Sequence, residues 1–159
     1  MSNRREARER VMQALYAYEI AQDDVRHIIN TLIKPHLNED RENLKFAESL
    51  FLRTIDQTPE LDEIIGRYAE NWDLSRIALI DHIVLRMAIA EMLTFEDIPP
   101  KVSINEAIEI AKRYSTSKSG QFINGILDAV LLDLKERGRL KKSGRGLIGM
   151  QSIRDRTPS

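Results

Sequence analysis

Arginine is concentrated at the start of the chain, where Arg4, Arg5, Arg8 and Arg10 stand within seven residues. The apolar residues that follow recur with helical spacing, which predicts a helix beginning near Arg4. Cations are unfavourable at a helix N-terminus because of the macrodipole. A function would explain them, since arginine forks and the backbone N–H groups of a helix start bind phosphates. A solvated, charged helix end explains the same residues, and both interpretations stay open.

Two other segments carry residues that could contact RNA. Arg86 interrupts the apolar stretch 77–93, and burying an unpaired guanidinium is costly. It must therefore pair with an acid or reach a functional surface. In residues 114–124, two aromatics flank a serine-rich loop that contains Lys118. Aromatic faces beside a cation suit the bases of single-stranded RNA, whereas core aromatics around a helix cap are the simpler structural explanation.

The residues that catalysis or metal binding would need are scattered. His27, His36 and His82 lie on separate segments, and no phosphate-binding glycine loop, zinc-protease or hydrolase motif occurs. Asp81 and His82 are neighbours, and adjacent side chains on a helix diverge by about 100°, so we interpret them as two partly exposed polar residues. Without cysteine there is no thiolate zinc site or Cys nucleophile. The sequence predicts no enzyme, no cofactor and no metal.

In every segment that positions these residues, the apolar residues recur with helical spacing. This predicts an all-α bundle of about seven helices. We expect Pro35 to end the second helix. Thr58-Pro59 predicts a capping hydroxyl and a proline in the first turn, and Ser103-x-x-Glu106 predicts a capping box. In chain order, the predicted helices span residues 4–22, 23–33, 40–57, 58–70, 75–95, 103–114 and 121–137. The fifth is apolar on nearly all sides, as a helix at the centre of a bundle would be.

Charge is divided unevenly along the 159 residues. Residues 138–159 carry a net charge of +5 and residues 1–137 carry −6. The C-terminal stretch is rich in glycine, serine and basic residues, so we expect a helical domain at 1–137 and a disordered basic tail at 138–159. Any nucleic-acid site in the acidic body must be local, and the remaining surface suits a basic partner. No signal peptide or membrane span is evident, which predicts a cytoplasmic protein.

Four motifs together resemble the NusB family of bacterial transcription antitermination factors. In chain order they are RRxARE (4–9) with QALY (13–16), VLRMA (84–88) with Glu91, KVxINEAIExAK (101–112), and FINGILD (122–128). The resemblance implies an all-α fold of two packed subdomains. It also implies binding of boxA-type RNA together with NusE, a ribosomal small-subunit protein, and action on the elongating RNA polymerase, chiefly on ribosomal RNA operons.

The resemblance also implies which residues bind. The RNA-binding positions are Arg4, Arg5, Arg8, Gln13, Arg86, Tyr114, Lys118, Phe122 and Asn124. Tyr16 and Asp81 match positions that face NusE. Lys118 departs from the pattern, because an acid can occur there in the family, and it predicts tighter, more salt-sensitive RNA binding.

Two rival interpretations remain. Some ribosomal RNA cytosine methyltransferases carry a NusB-like N-terminal domain, although this chain shows neither a cofactor-binding sheet nor a catalytic cysteine. Alternatively, the protein is a self-assembly module, because some family members form homodimers through the RNA-binding face.

Overall fold

The computed structural model describes residues 3–69 and 77–152 and divides the chain into two compact units, Met1–Thr58 and Pro59–Ser159. The first unit contains α1 (Arg4–Ala21), α2 (Val25–Ile28), a π-helical turn (Ile29–Ile33), α3 (Lys34–Leu37) and α4 (Arg41–Asp56). The second contains α5 (Thr58–Tyr68), α6 (Leu79–Thr94), α7 (Pro100–Tyr114), α8 (Ser119–Glu136) and two 3₁₀ turns (Gly144–Leu147, Met150–Ser152). Since α2, the π turn and α3 are continuous, the described residues form seven helices and no strand. The predicted all-α fold of about seven helices in two subdomains is confirmed.

In the first unit, α1 packs on α4 through apolar faces at helical spacing. Asn3 caps α1, its side-chain oxygen accepting from the Glu6 N–H at 2.8 Å, and Asp40 caps α4 by accepting from the Asn43 N–H at 3.1 Å. The buried apolar residues of these two helices are Ala7, Val11, Met12, Ala14, Leu15, Phe46, Ala47, Leu50 and Phe51. This packing fixes the arginine-rich start of α1 beside α4.

Pro35 does not end the second helix, which corrects the sequence prediction. The helix widens into the π turn, where the Lys34 N–H donates to the Ile29 carbonyl five residues earlier, and it then continues to Leu37. Proline has no N–H and its ring excludes the carbonyl four residues back. The π-helical turn before Pro35 accommodates both the missing N–H and the bulk of the ring, so the helix continues without a break.

In the second unit, α6 is buried on nearly all sides and packs against α7 and α8, as predicted. Two predicted caps are wrong. The helix α7 begins at Pro100, whose fixed φ suits a first turn, and Ser103 is buried inside it rather than opening it. The Thr58 hydroxyl donates to the Thr54 carbonyl at 2.8 Å instead of capping α5. The predicted boundaries at residues 70 and 75 lie outside the described residues.

The segment 139–149, here called the C-terminal strap, follows the surface of the second unit, which differs from the expected disordered tail. The Lys142 Nζ donates to the Phe95 carbonyl at 2.7 Å, and the Ser143 N–H donates to the Glu96 carbonyl at 3.0 Å. Gly146 lies so close that a Cβ there would be 1.8 Å from the Glu96 oxygen. Arg139 pairs with Glu60. Glycine thus permits backbone contact here as well as preventing a long helix; residues 153–159 of the predicted tail lie outside the described residues.

No helix within the described residues is both long and apolar enough to cross a membrane.

Candidate functional site

Arg4 is held against α4 by three groups. Its Nε donates to the Asn43 side-chain oxygen at 2.7 Å, and its guanidinium carbon lies 4.1 Å from the centre of the Phe46 ring. Glu42 lies 3.7 Å from another of its nitrogens. Stacking on the ring and the bond at Nε orient the guanidinium, which reduces the side-chain entropy that binding a ligand would otherwise cost.

The other arginines of α1 differ sharply in exposure. Arg5 is exposed, whereas Arg8 is only 4% exposed and its guanidinium carbon lies 5.3 Å from the centre of the same Phe46 ring. Arg10 forms an ion pair with Glu6 at 3.7 Å and donates to the side-chain oxygen of half-buried Gln13 at 3.1 Å. Arg4 and Arg8, one turn apart on α1, are therefore organised around one aromatic ring, and Arg8 is buried.

Arg86 forms a bidentate pair with Asp62 on α5. Its Nε and terminal nitrogen each lie 2.8 Å from a different carboxylate oxygen, and His82 Nε2 lies 2.6 Å from one of them. Burial raises the pKa of Asp62, but the hydrogen bonds and charges of Arg86 and His82 outweigh it and hold that pKa below its ordinary value. Of the two interpretations of Arg86, the structure shows pairing with an acid.

Three residues that the resemblance assigned to different partners line one cleft. Asp81 lies at the start of α6, while Lys118 and Phe122 lie one turn apart at the start of α8. Asp81 is buried, and its Oδ2 accepts from the Ser119 hydroxyl at 2.9 Å. Asp81 and His82 are therefore not the partly exposed pair expected, although they do diverge, Asp81 towards Ser119 and His82 towards Asp62.

The remaining predicted residues lie on helical surfaces. Tyr114 is half-buried at the end of α7, with the Arg113 guanidinium carbon 5.4 Å from its ring centre, and Asn124 is exposed on α8. On α1, Tyr16 is 42% exposed and Ile20, one turn later, is 63% exposed. Tyr16 can therefore meet a protein partner, whereas Asp81 offers no exposed charge for one.

Sequence reasoning missed the residues that hold these side chains. Asp62 lies 24 positions from Arg86, and Phe46 lies 42 positions from Arg4. The periodic spacing of residues within one helix gives no information about contacts between residues so far apart in the sequence. The sequence predicts a loop at Ser119, but its position three residues before Phe122, at the start of an apolar helix, is also compatible with a hydroxyl in the first turn.

Groups suited to metal binding do not converge in the part of the chain that the structure describes, where no three His, Asp or Glu side chains form a cluster. The Asp62–His82 contact is an acid–base pair in form, but Arg86 binds both oxygens of the carboxylate. These observations define an all-helical protein whose candidate binding groups are arginines, aromatics and a small cleft.

Comparisons with known proteins identify the family. The chain matches the NusB family model over residues 5–132. The transcription antitermination protein NusB of Salinibacter ruber is 54% identical over 159 residues, covering 100% of this chain and 99% of that protein. The chain belongs to the NusB family of transcription antitermination proteins, which are RNA-binding factors rather than enzymes.

Solved structures show the same fold. A structure of T. maritima NusB is 38% identical, with a TM-score of 0.75, and the match covers 81% of this chain and 90% of that one. A crystal structure of the antitermination factors NusB and NusE in complex with double-stranded RNA matches with a TM-score of 0.72 at 20% identity, covering 80% of this chain and 94% of that one.

Proposed function

We propose that the protein binds boxA-type single-stranded RNA together with NusE, and that this complex modifies the elongating RNA polymerase, chiefly on ribosomal RNA operons. The observation that carries the proposal is the arginine-rich start of α1, where Arg4 is oriented on Phe46 beside exposed Arg5. Membership of the NusB family supports it, and so does the solved relative that contains NusB, NusE and RNA.

In the first unit, the proposed RNA contacts are Arg4 and Arg5. Both stand in the first turn of α1, and the start of a helix and guanidinium forks favour phosphate. Arg8 and Gln13 are less exposed, and their proposed role is to hold the neighbouring side chains. Arg8 does so beneath the Phe46 ring, and Gln13 does so through its bond to Arg10.

In the second unit, the proposed contacts surround the loop between α7 and α8. Lys118 and Asn124 are exposed, and the half-buried rings of Tyr114 and Phe122 offer stacking surfaces. Arg86 is held by Asp62, so its proposed role is to fix α6 against α5.

For the protein partner, the proposed contact is the exposed apolar pair Tyr16 and Ile20 on α1. An aromatic and an aliphatic side chain one turn apart are typical of a helix face that packs against another protein. The net charge of −6 over residues 1–137 also suits a basic ribosomal protein.

The test of RNA binding is a titration of labelled boxA-type RNA and of a scrambled RNA with the same composition. We expect the boxA-type RNA to bind more tightly, and the variant Arg4→Ala, Arg5→Ala to weaken binding and flatten its salt dependence. Equal binding of both RNAs would refute the proposed specificity. An unchanged salt dependence in the variant would refute the contacts on α1.

Self-association is the alternative function, because some members of the family form homodimers through the RNA-binding face, which RNA would then compete for. Sedimentation equilibrium with and without RNA distinguishes the two. A monomer, or a dimer that RNA dissociates, agrees with the proposed function, while a dimer unaffected by RNA would favour an assembly module.

A further inference from the structure

The C-terminal strap is attached to the second unit mainly by polar contacts. The Lys142 ammonium and the Ser143 N–H donate to two successive carbonyls in the loop after α6. Two of the strap's three large apolar residues, Leu147 and Ile148, are 55% and 64% exposed. Because a segment with few buried apolar contacts opens at a lower free energy than packed helices, we expect the strap to detach while the second unit stays folded.

The surface beneath Lys142 is a site for a cation. Glu91 lies in the last turn of α6, where the helix dipole disfavours a negative charge, and it is only 2% exposed. That turn contains no basic residue of its own. Burial lowers the pKa of the Lys142 amine, and the negative charges of Glu91, Asp97 and Glu96 oppose that shift. The strap therefore supplies the cation that this end of α6 lacks.

Gly146 adds a requirement of shape to the requirement of charge. A Cβ at this position would lie 1.8 Å from the Glu96 carbonyl oxygen and 2.9 Å from its carbonyl carbon. These are backbone atoms, so they cannot move aside as the end of a side chain can. The site thus fits a segment that carries a lysine and, four residues later, a glycine.

The link between α8 and the strap allows the strap to leave without disturbing the helix. Gly138 has a φ of +67°, and its N–H donates to the Lys135 carbonyl at 3.1 Å. The Arg139 N–H donates to the Leu134 carbonyl at 2.8 Å. These two bonds close the end of α8, and neither depends on where the chain runs after Arg139.

We propose that the strap is an autoinhibitory occupant of this cation site, and that an open site takes the strap of a second copy of this chain. The strap is the ligand that the structure shows in the site, and its contacts are the same within one molecule and between two, as in domain swapping. A short link gives a molecule's own strap an effective concentration of about millimolar. The unmodified protein is therefore expected to remain mainly monomeric at micromolar concentration.

The first test titrates a labelled peptide of residues 139–149 into the full-length variant Gly146→Val, whose own strap cannot seat against Glu96. We expect the peptide to bind this variant about tenfold more tightly than the wild type, whose site is filled. A peptide with Lys142→Gln should bind weakly. The matched control is a peptide with Lys141→Gln, which changes an exposed neighbour and should bind like the original.

The second test asks whether whole chains exchange their straps. Gly146→Val has an open site and a strap that cannot seat, whereas Glu91→Gln keeps an intact strap and removes a charge from the site. Each variant alone should sediment as a monomer, and an equimolar mixture should form a dimer. Adding Lys142→Gln to the Glu91→Gln chain should abolish that dimer. Circular dichroism checks that each variant folds, and the peptide titration does not depend on Glu91→Gln.

Several results would overturn the inference. Equal binding of the peptide to wild type and to Gly146→Val would show that the strap does not fill the site. Equal binding of a scrambled peptide with the same composition would reduce the contact to attraction of any basic segment. Peptide binding without a mixed dimer would exclude exchange between copies. A mixed dimer that boxA-type RNA dissociates would place the contact on the RNA-binding face instead.

Discussion

The two units of the protein treat their charged residues differently. In the first, Arg4 and Arg8 lie near one aromatic ring, Phe46, and Arg5 is exposed in the first turn of α1. In the second, conspicuous arginines are paired internally, as Arg86 is with Asp62. The nine-tenths-buried Asp133 likewise accepts from Arg67 at 3.2 Å and from Arg137 at 2.7 Å. A charged residue in the sequence thus indicates a candidate binding surface only when the fold leaves its side chain accessible, as it does at Arg5 and does not at Arg86.

The largest effect on stability is expected for Arg86→Ala. This change removes both nitrogens that bind the Asp62 carboxylate, so we expect the free energy of unfolding to fall by about 2–3 kcal/mol. Arg86→Lys should restore little of the lost stability, because an ammonium group cannot form the bidentate pair. Urea denaturation measures both. A fully stable Arg86→Ala that has lost RNA affinity would show instead that Arg86 contacts RNA directly.

The pH dependence of the Arg86→Ala effect tests the same pair. The folded-state pKa of Asp62 is lowered, so its ionisation stabilises the fold above the unfolded pKa of about 3.9. That contribution is lost as pH falls through the lower folded-state pKa. The stability difference between wild type and Arg86→Ala should therefore be constant near neutrality and shrink below about pH 4. A difference independent of pH would contradict the ion pair.

The next largest effect is expected for Gly146→Ala in the C-terminal strap. The new Cβ would lie 1.8 Å from the Glu96 carbonyl oxygen, so the backbone must shift at a cost of about 2 kcal/mol. We expect a lower melting temperature and faster proteolysis within 139–149. The control is Gly125→Ala, where no atom lies within 4 Å and the helix gains about 0.5–1 kcal/mol. Equal melting temperatures and proteolysis rates for the two variants would show that the C-terminal strap is not held against Glu96.

Substitutions at Arg5 and Arg8 are expected to change stability least. Their effects should also differ clearly from each other, although both residues lie on α1. Arg5→Ala alters an exposed side chain and should change stability by less than about 0.5 kcal/mol. It should lower the slope of RNA affinity against salt by about one unit. Arg8→Ala removes a buried side chain packed near Phe46 and should cost about 1–2 kcal/mol. If Arg8→Ala were the neutral variant, the roles of the two arginines would be reversed.

Much of the fold follows from the sequence, because helical period and family motifs both report local structure. The seven helices and the central position of α6 were predicted correctly, whereas helix starts at Pro100 and Ser119 were misplaced by two or three residues. The spacing of apolar residues does not show where a helix begins, because few residues of its first turn are buried. The strap was missed because its attachment depends on a backbone contact at Gly146 with a loop 50 positions away.

The candidate site was less predictable than the fold. Arg5, Lys118 and Asn124 are exposed, and their RNA contacts stay predictions. Burial of Arg8 and Asp81 could not be predicted, since each depends on a neighbour supplied by another helix, Phe46 in one case and Ser119 in the other. Residue type and spacing therefore suggest candidate binding segments, but they do not indicate which side chains reach the surface.

The proposed function requires that RNA and NusE bind the same protein molecule, and we expect each to strengthen the binding of the other. Its most direct test is a complete binding cycle, in which the affinity for boxA-type RNA is measured by titration with and without saturating NusE, and that for NusE with and without RNA. We predict that NusE strengthens RNA binding at least fivefold and that RNA strengthens NusE binding by the same factor, as linkage requires. Independent binding of the two, or RNA that displaces NusE, would contradict the account.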